Sequence, residues 1–198
     1  NPSGHLPFVW GRLEDYCCKI VKTNCNMTNE YERYNRYDGS PNKAPFVYNE
    51  GLFIGQRYFE RERNKPIFHF GFGLSYTEFE FKDLKVEMKK EGLYAKVNVF
   101  NIGNYDGSTV VLLFLTFPRE VRKYPQRMFK GFEKVFVKKG ENIECEIFVD
   151  SFALSYYSLM EDDFVRPRKG EYIVYVGSSA GINRSRSEER RVGKECRS

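Results

Sequence analysis

Hydrophobic and polar side chains alternate over three stretches in the second half of the chain, residues 93–100, 143–149 and 172–176. A period of two places successive side chains on opposite faces of a β-strand, so one face of each stretch is expected to meet a core. Residues 110–117 are almost continuously apolar instead. This pattern predicts a central strand that is covered on both faces.

Further strands and the turns between them complete the pattern of an all-β domain. Strands are expected over 79–88 and 132–137, with a short one near Phe164, and turn sequences occur at positions such as Gly140 and Gly170. Six or seven antiparallel strands within about 100 residues predict a mainly β fold, an immunoglobulin-like or fibronectin type III-like β-sandwich. The aromatic content of 17% agrees with a strand-rich chain.

Residues 1–75 lack this regularity. They are rich in Pro, Gly, Asn and Tyr, and their apolar runs are short, as at Phe8–Trp10 and Leu52–Ile54. Such runs need partner elements in order to bury their apolar surface. We therefore expect only residues 78–182 to fold autonomously, and proteases to trim the chain from its start to about Gly73.

Composition and charge exclude several classes of protein. With 41% hydrophobic and 30% charged residues the chain is globular, and no apolar run is long enough for a membrane-spanning helix. Residues 186–198 read RSEERRVGKECRS, which resembles a translated sequencing adapter, so residues 183–198 are expected to be disordered. Residues 186–198 contain five basic and three acidic residues, so without them the net charge of +5 falls to +3. That charge is too small to suggest a nucleic-acid partner.

Cysteine usage and one glycosylation acceptor suggest a secreted or vacuolar location. Cys17, Cys18 and Cys25 cluster in a polar stretch, and Asn26 begins an Asn-Met-Thr acceptor. In an oxidising compartment Cys25 is expected to pair with either Cys17 or Cys18. Cys145 occupies an inward position of a predicted strand, so we expect it to be reduced and buried.

Five motifs spread over about 180 residues occur in the order in which they occur in one enzyme family. They are Asn1–Phe8, Tyr48–Phe59, Pro66–Thr77, Lys130–Glu141 and Gly170–Ser179. These resemble the segments NPSGRLPFT, YxEGIfVGYRYf, PlFPFGyGLSYT, LkGFeKV followed by pGE, and GxYxvyVGsSS of glycoside hydrolase family 3. The chain is thereby similar to the C-terminal part of a β-glucosidase-like enzyme.

The resemblance implies a domain organisation and its partners. Residues 1–77 would be the C-terminal tail of the family's α/β sandwich domain, and residues 78–182 its fibronectin type III-like domain. The implied partners are the N-terminal barrel and the rest of the α/β sandwich of the same parent chain, together with the parent's carbohydrate substrate. Gln56 stands where the family usually has Tyr, and His69 where it usually has Pro.

The same resemblance implies that this chain does not carry out catalysis. Retaining glycosidases use a carboxylate nucleophile and a carboxylic acid about 5 Å apart. In this family the nucleophile is an Asp of the barrel and the acid/base a Glu that precedes the motif at Asn1, so no catalytic residue and no cofactor is expected here. Glu50 is an alternative acid/base, although a structural ion pair or cap explains it better. The competing function is a stand-alone carbohydrate-binding or adhesion module.

Metal binding is not expected. The two histidines, His5 and His69, lie in unrelated segments, which disfavours a zinc site. Glu161–Asp163 form an acidic turn, for which a calcium site is a weaker interpretation than a solvated turn.

Aromatic residues supply the remaining candidate sites. Tyr31, Tyr34 and Tyr37 recur every third residue and either stack on sugars or pack against the rest of the parent enzyme, with packing favoured. Tyr94 and Phe148 point outward from their predicted strands. We expect them to mark the surface on which the catalytic body docks.

Overall fold

The computed structural model describes residues 1–12, 51–62, 65–118, 121, 124–167 and 170–181, together with the backbone of 187–193. Within this part of the chain there are one α-helix and nine β-strands. They are α1 (Gln56–Glu62), β1 (Phe79–Met88), β2 (Gly92–Asn101), β3 (Gly107–Thr116), β4 (Met128–Val137), β5 (Asn142–Asp150), β6 (Tyr156–Ser158), β7 (Asp163–Val165), β8 (Glu171–Gly177) and β9 (Ser187–Gly193).

Two antiparallel sheets pack face to face. The first has the strand order β1-β2-β5 and the second the order β4-β3-β8-β9. The inward side chains of both sheets form one continuous hydrophobic core, because the period-two alternation turns every second residue toward the facing sheet. Its fully buried members include Leu93, Val97, Val99, Val111, Leu113, Leu115, Val149, Val174 and Val176. The predicted fibronectin type III-like sandwich is confirmed.

β3 is the central strand that its continuous apolar run predicts. It lies between β4 and β8, and Val111 and Leu113 point into the core. On the opposite face, Leu112 and Phe114 are also buried, in a second cluster with Ala180 that Phe70 partly covers. Segments outside the two sheets therefore bury the apolar side chains on the outer face of β3.

Two stretches of chain cover this outer face: residues 1–12, and residues 65–77, which we call the junction. Together they form what we call the covering segment. The two run alongside each other, with Trp10 and Phe68 exchanging hydrogen bonds of 2.7 and 2.9 Å between their backbone N–H and C=O groups. The backbone N–H of Ala180 donates to Phe70 O at 2.8 Å and ties the junction to the sandwich. The apolar outer face of β3 supplies the partner surface that these short runs need. The trimming expected from the start of the chain to about Gly73 stays a prediction.

His5 fastens this covering segment at three points. Its Nδ1 lies 2.6 Å from Gly71 O and 3.2 Å from Ser178 O, and its Nε2 lies 3.4 Å from the backbone N of Val110. Carbonyl oxygens only accept, so Nδ1 is the donor toward Gly71 and Ser178, while Nε2 is placed to accept from the N–H of Val110. One side chain thus joins residues 1–12, the junction, β3 and the loop after β8.

Replacing His5 with alanine is expected to lower the free energy of unfolding by about 1–3 kcal/mol, because partly buried backbone groups lose their partner. Urea unfolding followed by far-ultraviolet circular dichroism measures the change. Lys138→Ala, at an exposed position, is the control and should change stability by no more than about 0.5 kcal/mol. Equal stabilities of the two variants would show that the His5 contacts contribute nothing.

β4, β6 and α1 differ from the sequence-based expectations in their bounds or existence, whereas β7 agrees with them. β4 begins at Met128 rather than at residue 132, because a register shift between Leu113 and Phe114 of its partner interrupts the alternation. The short strand expected near Phe164 is present as β7, paired with β6. Neither β6 nor α1 is long enough to produce a clear periodic signal.

α1 packs Tyr58 and Phe59 against Val9, so the helix belongs with the covering segment. Gly55, with φ +56°, accepts hydrogen bonds at its carbonyl from the N–H groups of Tyr58 and Phe59 and starts the helix. No helix in the described part of the chain has the length and hydropathy needed to cross a membrane.

The end of the chain also differs from expectation. The backbone of Ser187–Gly193 forms β9, which pairs antiparallel with β8 from Glu171 to Gly177. The disorder expected for residues 183–198 therefore does not hold for these seven residues. Without β9, β8 would be an edge strand with a row of open N–H and C=O groups, and pairing satisfies them whatever the side chains are. The adapter origin of residues 186–198 stays a prediction.

Candidate functional site

An apolar groove lies between the covering segment and the four-stranded sheet. Phe70, Phe114 and Phe129 form its floor, with ring centroids 5.2 to 6.1 Å apart. Phe8 and Ile54 line its sides. The groove exists because the junction covers only part of the outer face of β3 and β4.

Apolar side chains at and beside this groove are exposed to solvent. Phe8 and Ile54, on its sides, are 49% and 50% exposed, and Phe129, on its floor, is 42% exposed. Trp10, next to Phe8, is 52% exposed. Phe8 and Trp10 contact each other with ring centroids 5.9 Å apart. Clustered, half-exposed aromatic and aliphatic side chains of this kind mark an interaction surface.

A partly buried polar network borders the groove. The Arg127 guanidinium lies 3.2 Å from Glu60 Oε1, and Gln56 Nε2 donates to the same oxygen at 3.4 Å. Gln56 Oε1 accepts the backbone N–H of Phe70 at 3.2 Å, and Arg127 donates to the carbonyl of Ala180 at 3.2 Å. The network connects α1, the junction, the start of β4 and the loop after β8.

The protonation of this network is set mainly by burial. Burial raises the pKa of Glu60 to about 7, against the opposing effects of Arg127 and Gln56. Burial and the positive charges of Arg127 and Lys65 hold the pKa of His69 below its usual range. Among the described residues, the hydrogen-bond and ion-pair partners of Glu60 are Gln56 and Arg127.

The outer face of the three-stranded sheet has a different character. Tyr94 and Phe148 stack there with ring centroids 4.8 Å apart, beside an ion pair of 3.0 Å between Lys96 and Glu146. Charged residues alternate along this face, as on a solvated surface. That Tyr94 and Phe148 mark the surface on which the catalytic body docks stays a prediction. Residues 1–12 and the junction pack on the opposite sheet, where the outward side chains are apolar.

The remaining sequence candidates divide between two groups. Those outside the described residues stay predictions: Cys17, Cys18, Cys25, Asn26, Tyr31, Tyr34, Tyr37 and Glu50. Cys145 is confirmed as buried and free, and burial, followed by the charge of Glu133, raises its pKa to about 11. A thiol in that state is a weak nucleophile.

The acidic turn lies between β6 and β7. Asp162 accepts a hydrogen bond from the Tyr157 hydroxyl, and Asp163 accepts one from the backbone N–H of Phe164 at 2.6 Å. These carboxylates are engaged locally. In the described ranges no three His, Cys, Asp or Glu side chains are grouped in a way that could hold a metal ion.

Sequence reasoning missed Glu60 and Arg127, but it contained one signal for their site. Gln56 and His69 are the two departures from the family pattern, and their side chains meet, with Gln56 Nε2 3.4 Å from His69 Nδ1. Two unusual residues that touch are consistent with a change at one position accommodated at the other. Nothing local in the sequence relates Glu60 to Arg127.

Comparisons with known proteins agree with this architecture. A family profile described as a fibronectin type III-like domain matches residues 109–180. The thermostable β-glucosidase B of Acetivibrio thermocellus is 35% identical over 184 residues, covering 91% of this chain and 22% of its own length.

Solved structures are similar over the same region. The GH3 β-glucosidase of Bifidobacterium adolescentis matches with a TM-score of 0.67 and 31% identity, over 74% of this chain and 21% of its own. β-Glucosidase 3B of Thermotoga neapolitana matches with a TM-score of 0.75 and 28% identity, over 96% of this chain and 24% of its own. The chain thus spans about a fifth of the length of the relatives that it matches.

Proposed function

Because the chain belongs to glycoside hydrolase family 3 and corresponds to its C-terminal region, we propose that it is the accessory region of a retaining exo-β-glycosidase. The parent enzyme would hydrolyse O-glycosidic bonds in carbohydrates, as a β-glucosidase or β-xylosidase. The region itself would supply no catalytic carboxylate. Its role would be to dock on the catalytic domains and stabilise them.

The observation that carries this proposal is the apolar groove on the outer face of the four-stranded sheet. Phe8 and Ile54 on its sides, and Trp10 next to Phe8, are about half exposed, which favours contact with another protein surface. The A. thermocellus relative is about four times as long as this chain, so a partner for that surface is available within one polypeptide. The partner we propose is the rest of the α/β sandwich domain and the barrel.

A reconstitution experiment tests the docking role. The chain alone should not hydrolyse aryl β-glucosides or β-xylosides above a buffer blank, because one carboxylate cannot replace the pair. Mixed with the A. thermocellus β-glucosidase truncated to lack the matching region, it should form a stable complex and raise the activity of the truncated enzyme. Size-exclusion chromatography and hydrolysis of an aryl β-glucoside are the two readouts.

Two matched phenylalanines distinguish the docking face from the solvated face. Phe8 and Phe148 are 49% and 47% exposed, and each makes an aromatic contact. Phe8→Ser should weaken the complex, whereas Phe148→Ser should not. Equal effects of the two variants would contradict docking through the groove. Retention of the chain on insoluble polysaccharide would support the carbohydrate-binding module instead.

The location of the parent enzyme is a separate part of the proposal. The acceptor at Asn26 and the cysteines at positions 17, 18 and 25 support secretion or a vacuolar location. Expression in a eukaryotic secretory host should give glycan at Asn26 and a bond from Cys25 to Cys17 or Cys18. Peptide mapping without reduction checks both, and a bridge that includes Cys145 would contradict the arrangement.

A further inference from the structure

We propose that Glu60, Gln56, His69 and Arg127 form a latch that holds α1 against the sandwich at mildly acid pH and loosens as the pH rises. The four side chains come from α1, from the junction and from the residue that precedes β4. Glu60 is central, because its side chain is 9% exposed and receives both Arg127 and Gln56.

The hydrogen bonds of Gln56 define the state in which the latch is closed. Gln56 Oε1 accepts from Phe70 N–H, so Nε2 is the donor toward Glu60 and toward Nδ1 of His69. His69 Nδ1 must then accept, which requires a neutral ring with its proton on Nε2. The lowered pKa of His69 agrees with this tautomer near neutral pH.

The carboxyl of Glu60 is poorly satisfied when it is ionised. Arg127 and Gln56 both contact Oε1, whereas Oε2 is buried without a hydrogen-bond partner among the described residues. An ionised carboxylate has about four acceptor sites to fill, whereas the protonated form needs fewer acceptor partners and can donate. Protonation of Glu60 therefore removes the buried charge and keeps the hydrogen bond from Gln56.

The surrounding charges do not remove this preference. Arg127 faces Glu60 from the start of β4, and His69 and Lys65 lie on the junction side. With His69 neutral, Arg127 supplies the counter-charge at hydrogen-bonding distance among the described residues. Burial outweighs it and leaves the pKa of Glu60 at about 7, against a model-compound value of 4.5.

The direction of the pH effect follows from that difference. The closed latch binds the Glu60 proton more tightly than the open one, so protonation stabilises the closed form. The stabilisation is complete below the ordinary carboxyl pKa and is lost as the pH rises toward about 7. Gln56 and Arg57, at the start of α1, line the groove, so opening would alter its shape. This last consequence rests on the proposed docking function, whereas the latch itself does not.

Hydrogen exchange of the α1 amides at two pH values tests the latch. Protection factors, corrected for the intrinsic exchange rate, should fall by a factor on the order of ten or more between about pH 5 and about pH 8. In Glu60→Gln, which keeps a neutral hydrogen-bonding side chain, this fall should be absent, because the lowered pKa of His69 favours the closed form as the pH rises. Glu87→Gln, which removes an exposed carboxylate, should behave like the unsubstituted chain.

Two outcomes overturn the proposal. One is pH-independent protection of α1 in the unsubstituted chain, and the other is the same pH-dependent loss in Glu60→Gln. Should Glu60→Gln not fold, the carboxyl carbon resonance of Glu60 in the unsubstituted chain decides. A titration midpoint near 7 supports the latch, and a midpoint near 4.5, the ordinary value of a glutamate carboxyl, excludes it. Because these readouts use neither the parent enzyme nor its substrate, a failed latch leaves the docking proposal untouched.

Discussion

Replacing Gly71 with alanine is expected to lower the free energy of unfolding by about 3–5 kcal/mol, through backbone strain and overpacking together. Gly71 adopts φ +83° in the junction. A Cβ placed there would lie 2.3 Å from Leu112 Cδ1 and 2.9 Å from both Ser178 O and Ser179 Cα. Two of these three atoms belong to backbone, so the site has little room to adjust.

A second glycine separates the strain from the close approach. Gly140 adopts φ +74° in the turn between β4 and β5, and a Cβ there would meet nothing within 4 Å. Gly140→Ala should therefore cost about 1–2 kcal/mol, from the backbone conformation alone. Chemical denaturation of the two variants in parallel measures the difference.

The comparison also tests how tightly the covering segment is held. Gly71→Ala should increase proteolytic cleavage within residues 1–12 and the junction, since its added carbon pushes the junction away from β3. Gly140→Ala should not. Equal losses of stability in the two variants would mean that the contact between the junction and Leu112 is not close. In that case the covering segment would not depend on Gly71.

The local pattern of hydrophobic and polar residues was sufficient to predict the sandwich. It was insufficient to predict the segment that covers the outer face of β3. The strands β2, β5 and β8 follow from alternation, which is a property of neighbouring residues. The covering segment depends instead on contacts between distant residues. His5 reaches Ser178, 173 positions away, and no periodicity relates the two.

The two candidate docking faces show the same limit from another direction. The sequence favours Tyr94 and Phe148 because they are aromatic and point outward, whereas the groove on the opposite sheet becomes visible only in the fold. Aromatic type does not by itself distinguish a surface that docks from one that is solvated. The distinction comes from neighbours on adjacent strands, such as Lys96 and Glu146 on one sheet and Phe114 on the other. Those neighbours are known only once register and sheet order are known.

Replacing Asn101 with alanine should also cost about 3–5 kcal/mol, because several buried polar groups would lose their partner at once. Asn101 is 2% exposed at the end of β2. Its Nδ2 donates to Tyr105 O at 2.8 Å and to Val137 O at 2.9 Å. Its Oδ1 accepts from the Thr77 hydroxyl at 2.6 Å and from the backbone N–H of Gly103 at 3.2 Å.

These four bonds join three parts of the fold that no single strand pairing connects. Thr77 ends the junction, Tyr105 lies in the turn before β3, and Val137 ends β4 in the opposite sheet. Asn101 therefore fixes the junction at the corner where the two sheets meet. Its loss should loosen the junction and the sandwich together, because the cavity left by alanine cannot supply either donors or acceptors.

Asn98 provides the matched control on the same strand. Its side chain points outward and donates to Asp83 Oδ2 at 3.1 Å on the solvated face. Water can replace that bond, so Asn98→Ala should change stability by about 0.5 kcal/mol or less. Urea unfolding at neutral pH compares the two variants, and similar losses would contradict the role assigned to Asn101.

An aspartate at position 101 adds a test of direction. An ionised carboxylate can accept from Thr77 and Gly103 but cannot donate to the carbonyls of Tyr105 and Val137, whereas a protonated carboxyl can donate to one of them. Asn101→Asp should therefore be more stable, relative to the unsubstituted chain, in mild acid than at neutral pH. A stability difference that does not vary with pH would show that the donor side of the Asn101 amide is not what holds this corner.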